Sequence, residues 1–100
     1  AMREIKVSID TQKKTKLLLE YLEAKWSVRV RIKFAKKLYD ALKIIRANPE
    51  IFPKSKTNKK LHKCVVTKQT TLFYNFTSKQ VNVVALFDTR QNPTKINKIK

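Results

Sequence analysis

A chain of 100 residues is the size of one domain with a modest core, and an apolar share of 42% sets it among globular rather than disordered proteins. A net charge of +17 is extreme for this length and points to an anionic partner, because such a field otherwise acts only as self-repulsion. Glycine is absent, which excludes every glycine-rich phosphate or dinucleotide loop, and no apolar run approaches the ~18 residues that span a membrane.

The first segment, residues 3 to 9, alternates polar and apolar, with Ile5, Val7 and Ile9 on one side of a half-buried strand. Asp10 or Thr11 then caps a helix from Gln12 to Trp26, whose Leu18, Leu19, Leu22 and Trp26 form one apolar stripe, with Trp26 packing between helices. Ser27 caps a second helix through Phe34, Leu38, Leu42 and Ile45, closed by Asn48-Pro49. Its opening, Val28 to Phe34, also alternates like a strand, but the apolar face runs on without a turn signal, which favours helix. A basic loop with Pro53 covers residues 50 to 60. Three strands follow, Leu61 to Thr67, Thr70 to Phe76 and Gln80 to Phe87, joined by short turns into an antiparallel meander. The last strand is apolar on both sides around Val83 to Leu86 and so belongs in the middle of the sheet. Without glycine, turns fall to Asn, Asp, Ser and Lys. Ala1 before Met2 reads as a cloning scar, and residues 94 to 100 as a basic tail on one domain spanning 1 to 100. The class is α+β, with a helical hairpin on one face of a small, mainly antiparallel sheet and the other face partly open.

The charge is uneven. No acid lies between Glu50 and Asp88, a stretch that holds Lys54, Lys56, Lys59, Lys60, Lys63, Lys68 and Lys79. The single cysteine, Cys64, forms no internal disulfide and suits a reducing cytoplasm. His62 and Cys64 are too few ligands for a metal site, and no cofactor motif is present. By alternation His62 shares the core side with Cys64 and Val66, and Tyr74 goes with Leu72 and Phe76.

The Trp26-Ser27 junction, Asn48-Pro49, Leu72-Phe73-Tyr74 and above all the ending Leu86-Phe87-Asp88-Thr89-Arg90-Gln91-Asn92-Pro93, together with the order β-α-α-β-β-β and the basic character, resemble the RelE/ParE superfamily of bacterial toxins over nearly the whole chain. The resemblance implies the toxin of a type II toxin–antitoxin module. Its partner would be an acidic antitoxin whose extended segment lies across it in a hetero-oligomer. RelE-like members cleave messenger RNA in the ribosome, and ParE-like members inhibit DNA gyrase.

Cleavage by a 2′-hydroxyl needs a base, cations around the phosphorane and an acid for the leaving oxygen. Of the positions that serve RelE-like enzymes, Lys63 and Arg90 match. The others fall on Val65, Thr71 and near Ile96. That leaves cations without an evident acid and favours a ParE-like binder. The alternatives are a ribosome-dependent mRNA endonuclease using Lys63 and Arg90, or a non-toxic basic domain for nucleic acid. Target contacts fall to Arg90, Gln91, Lys63, Lys60 and Lys59. Arg90 can equally pair with Asp88, and Lys63 can serve as edge protection.

Overall fold

The computed structural model describes residues 3–90. Strand β1 (Glu4–Val7) leads into helices α1 (Ile9–Lys25) and α2 (Val28–Ala47), and strands β2 (His62–Val65), β3 (Thr70–Phe76) and β4 (Gln80–Asp88) follow. A single 3-10 turn, Pro49–Ile51, lies after α2. The expected order therefore holds. The sheet runs β1-β4-β3-β2; β1 lies parallel to β4, and the other two pairings are antiparallel. β4 is central, as its apolar sequence requires.

Helix α1 starts earlier than its sequence suggested. Ser8, not Asp10 or Thr11, is the N-cap, and its Oγ accepts from the N–H of Thr11 at 3.1 Å. Ile9 therefore leaves the strand and is exposed at the first helical position. Leu18 and Leu22 are fully buried, as the stripe predicted, but Trp26 is not. It is 52% exposed at the tip of the hairpin and meets Tyr21 edge-on at 5.9 Å. The apolar stripe ends one turn before Trp26, because the chain must already be turning toward α2. Ser27 caps α2 by accepting from Val30, and Phe34, Ala41 and Ile45 face inward. The alternating opening of α2 is thus helical.

The helices cover one face of the sheet. Leu18, Leu22, Phe34, Ala41 and Ile45 pack on Cys64, Leu72, Tyr74, Val81, Val83 and Leu86. Tyr74 is buried, and its hydroxyl donates to the carbonyl of Pro49, tying the end of α2 to the sheet. Burial, then the charges of Cys64 and Glu50, push its phenol up, so it stays a neutral donor.

The tight turns follow a rule the sequence reading missed. Among the described residues no backbone has positive φ, and the turns between strands are built by threonine. Thr67 Oγ1 accepts from the N–H groups of Gln69 and Thr70, and Thr77 Oγ1 from those of Lys79 and Gln80. A hydroxyl bound to the backbone two and three residues on mimics a turn without left-handed backbone.

One irregularity decides which side chains face where. Phe73 pairs with Ala85, yet Tyr74 pairs with Val83, so Val84 is an extra residue in β4. The bulge sits where β1 ends, with the N–H of Ser8 bonded to the carbonyl of Val83 at 3.0 Å. Before it, Val81 and Val83 point to the helices; after it, Leu86 and Asp88 do. The apolar run Val83 to Leu86 is therefore two inward residues separated by the bulge.

Candidate functional site

The open face of the sheet is set by alternation. On β2, Cys64 faces the helices, so Lys63 and Val65 face away. On β3 the outward residues are Thr71, Phe73 and Asn75. On β4 the bulge turns Phe87 outward, and its ring meets Phe73 edge-on at 5.5 Å. Register brings these together, with Lys63 opposite Phe73, Val65 opposite Thr71 and Thr71 opposite Phe87. The other end of the face is polar, where Asn82 donates to Asn75 at 2.9 Å and Gln80 to Asn82 at 3.0 Å.

The segment after the 3-10 turn forms a wall beside this floor. The N–H of Lys63 donates to the carbonyl of Pro53 at 2.8 Å, and that of Ser55 to Leu61 at 2.7 Å. Lys54 thereby bridges His62 as a short extra strand on the edge of β2. Ser55 is buried, its Oγ 3.1 Å from Thr57 Oγ1, and Asn58 Oδ1 accepts from the N–H of Lys60 at 3.0 Å. The basic loop is therefore a hydrogen-bonded structure that holds its lysines out. A cavity of ≈ 600 Å³ lies between wall and floor, with Phe52, Pro53, Lys54 and Lys56 on one side and Lys63, Val65, Thr71, Phe73 and Phe87 beneath. Lys59 and Lys60 are exposed on the same loop, outside that lining. This groove offers an apolar, partly aromatic floor with ammonium groups at its rim, suited to an anionic partner with apolar side groups.

Arg90 is elsewhere. Asp88 has a fully buried side chain, and Arg90 binds it with Nε at 3.0 Å, Nη2 at 2.7 Å and its own backbone N–H at 2.9 Å. Thr70 Oγ1 donates to the same carboxylate. The guanidinium also lies 5.9 Å from the ring of Phe34, on α2. Burial pushes the Asp88 carboxyl up, but the hydrogen bonds from Arg90 and Thr70 outweigh it and hold the group below the usual carboxylate range. The bond from Asp88 raises Arg90 further above its ordinary value, against its own partial burial. Arg90 thus stands on the helix side and Lys63 on the open side, so the two cations expected to share a site are on opposite faces. Gln91 and Ile96 lie outside the described residues.

His62 accepts or donates through Nδ1 to the carbonyl of Phe52 at 2.7 Å and stacks on Tyr74 at 5.4 Å. Both contacts fit a packing role on the core side. Phe73 and Phe87 were the residues the sequence reading passed over. Alternation from Leu72 could have found Phe73, whereas Phe87 required knowledge of the bulge.

A second cavity of ≈ 670 Å³ opens on the helix side, where α1 and α2 splay over the sheet. Leu19, Leu38, Leu42 and Val7 line it, and the Glu23–Arg31 ion pair at 2.7 Å stands at its rim.

No protein-family model matches this sequence, and no curated protein matches it in sequence. Solved structures do match in fold. A chain of the chromosomal ParDE toxin–antitoxin system from P. aeruginosa superposes with a TM-score of 0.73 at 9% identity, over 87% of this chain and 96% of that one. A chain of the E. coli DinJ-YafQ toxin–antitoxin complex gives 0.62 at 16% identity, over 91% and 97%. YafQ from E. coli strain BL21(DE3) gives 0.61 at 17% identity, over 89% and 96%. The fold is the one these chains share, two helices on a four-stranded mixed sheet. Among the described residues no helix is long and apolar enough to cross a membrane.

Proposed function

We propose that this chain is the toxin of a type II toxin–antitoxin pair, a single cytoplasmic domain that acts by binding DNA gyrase and is neutralised by an acidic antitoxin. The observation that carries the choice of binding over cleavage is the makeup of the open groove. Two positions where a RelE-like nuclease would place cations, Val65 and Thr71, line the groove together with Lys63. One is apolar and the other a hydroxyl, and Phe73 and Phe87 complete the floor. Arg90, the remaining matched cation, is engaged with Asp88 on the opposite face. A phosphorane in this groove would meet the ammonium groups of Lys54, Lys56 and Lys63, with no acid among the described lining residues to protonate a leaving oxygen.

An apolar floor beneath lysines is instead suited to protein recognition, where aromatic and aliphatic anchors supply affinity and rim charge sets the encounter rate. Lys63 is the central target contact, with Lys59 and Lys60 contributing long-range attraction. Fold neighbours that come from toxin–antitoxin complexes support a partner of the antitoxin kind, and +17 of charge complements an acidic one.

Induction of the chain alone should arrest growth, and co-expression of its acidic partner, sought as a small acidic reading frame beside its gene, should relieve the arrest. Purified chain should inhibit supercoiling by gyrase and leave message intact in a ribosomal translation assay. Cleaved message with normal supercoiling would transfer the chain to the nuclease branch. Normal growth on induction would remove the toxin reading altogether.

A further inference from the structure

The cavity of ≈ 670 Å³ between the helices and the sheet takes no part in the groove, and its makeup is the reverse. The groove lining holds three lysines and no acid. The helix-side cavity holds Glu20 and Glu23, two of the chain's seven acids, beside Lys16 and Arg31, so it is formally neutral on a chain of +17. Its volume falls in the range of about 300–1,000 Å³ that suits small ligands. Leu72 on β3 and Val83 on β4 line it although both are buried, so it reaches down to the sheet. Leu19, Leu38 and Leu42 form its walls and stay half-buried.

Hydrogen bonding separates the inside of this cavity from its rim. Thr15 Oγ1 donates to the carbonyl of Thr11 at 2.8 Å, and Gln12 Nε2 to that of Val7 at 2.9 Å, so both side chains are turned to the backbone and leave the interior apolar. At the rim Arg31 holds Glu23 at 2.7 Å. Glu20 lies three residues before Glu23, on the same side of α1. It has no ion-pair partner among the described residues, although Lys16 is only one turn away. A free carboxylate beside an apolar cavity selects a cationic head on an apolar body. The net charge of the chain would draw an anion instead, so a preference for a cation can come only from the local carboxylates. We propose that this cavity binds a small apolar amine, with its hydrocarbon part against Leu19, Leu38 and Leu42 and its ammonium at Glu20. The inference is independent of what the groove binds.

The test is an NMR titration of the isotope-labelled full chain with decylamine, decanol and decanoate, each kept below micelle formation. The three probes share one tail and differ in the head. Salt of about 0.15 M, with a Debye length of about 8 Å, screens the net charge of the chain. Decylamine should shift the amides of Leu19, Leu38, Leu42, Leu72 and Val83 and bind about fivefold more tightly than decanol, the factor that one exposed ion pair supplies. Decanoate should bind no better than decanol. Glu20→Gln should bring decylamine down to the affinity of decanol and leave decanol unchanged, and the exposed position of Glu20 lets the variant fold. Ala24→Trp, at an exposed lining position, should weaken all three by filling the cavity. Tightest binding of decanoate would show that Lys16 or the net charge sets the head group, and would overturn the proposal. So would equal affinity for amine and alcohol, an amine preference that survives Glu20→Gln, or no shift at the lining amides with any probe. If Glu20→Gln folds poorly, the ranking of the three probes on the unaltered chain decides alone.

Discussion

On the helix side of the sheet, Arg90 is committed. Three of its N–H groups point at one buried carboxylate, a hydroxyl donates to the same acid, and an aromatic ring lies beside the guanidinium. On the open side, Lys63 is exposed on a strand and lines a groove with Lys54 and Lys56, with no ion-pair partner among the described residues. Both cations end up a few residues from a chain turn and look equivalent in the sequence. Their difference shows that a charge becomes structural or available according to the side of the sheet that receives it. For Arg90 that side is set by one inserted residue.

Val84 is that residue. Strict alternation continued from Val81 and Val83 would send residues 85 and 87 toward the helices and residues 86, 88 and 90 to the open face. The bulge reverses this, so Leu86 and Asp88 go in and Phe87 goes out to the groove. Insertion of one alanine between Ala85 and Leu86 should therefore have the largest effect of any single change. It would expose Leu86 and Asp88 and force Phe87 against a packed core. The expected loss exceeds about 5 kcal/mol, comparable with the whole stability of a domain this size. Circular dichroism during urea unfolding should show no cooperative transition, and a native-like one would mean that β4 tolerates either register.

Removing Arg90 comes next. Arg90→Ala leaves Asp88 buried with Thr70 and one backbone N–H as its remaining partners. Breaking one member of a buried pair costs about 3–5 kcal/mol, and the residual hydrogen bonds put this case near the lower end. Under the proposed function, any growth arrest lost by this variant should follow its loss of folded protein. A variant that stays as stable as the parent but loses activity would return Arg90 to the target-binding surface.

The same node predicts how stability depends on pH. The folded-state pKa of Asp88 lies below its ordinary value. Its contribution is therefore complete above the unfolded carboxylate pKa of about 3.9 and is lost as pH falls through the folded value. Asp88→Asn should be less stable than the parent at neutral pH, and the gap should narrow on acidification below about pH 4. A gap that stays constant down to acid pH would show that the carboxylate charge does not matter to the fold.

Much of the fold was legible in the sequence because its signals are periodic. The α2 stripe from Phe34 to Ile45, the cap Ser27, the break at Asn48-Pro49 and the limits of β3 each rest on a local pattern with its own physical cause. The site was less legible, because its arrangement depends on tertiary pairing. Nothing local to Val84 distinguishes it from Val83, and the bulge sits where β1 ends and Ser8 caps α1, a coincidence of three segments far apart in sequence. Trp26 is a similar case. It keeps helical spacing with Leu22, but the hairpin turns before that spacing can bury it. The ordered lysine loop was hidden because its hydrogen bonds come from Ser55, Thr57 and Asn58, ordinary loop residues that form a pattern only once the chain lies on the edge of β2.

Lys63 should give the smallest effect on stability and the clearest on function. Its side chain is exposed, and its backbone N–H donates to Pro53, a bond that any residue other than proline can make. Lys63→Ala should therefore change unfolding free energy by no more than about 0.5 kcal/mol. Binding to the target should weaken about tenfold at low salt, and the difference should shrink as salt rises, since an exposed ammonium acts through a screened field. Phe73→Ser removes groove floor in place of rim charge, so its effect on binding should persist at high salt. Isothermal titration across a salt series separates the two. If both variants lose affinity with the same salt dependence, the groove is not the contact surface, and the lysines act only through the net charge they share with the rest of the chain.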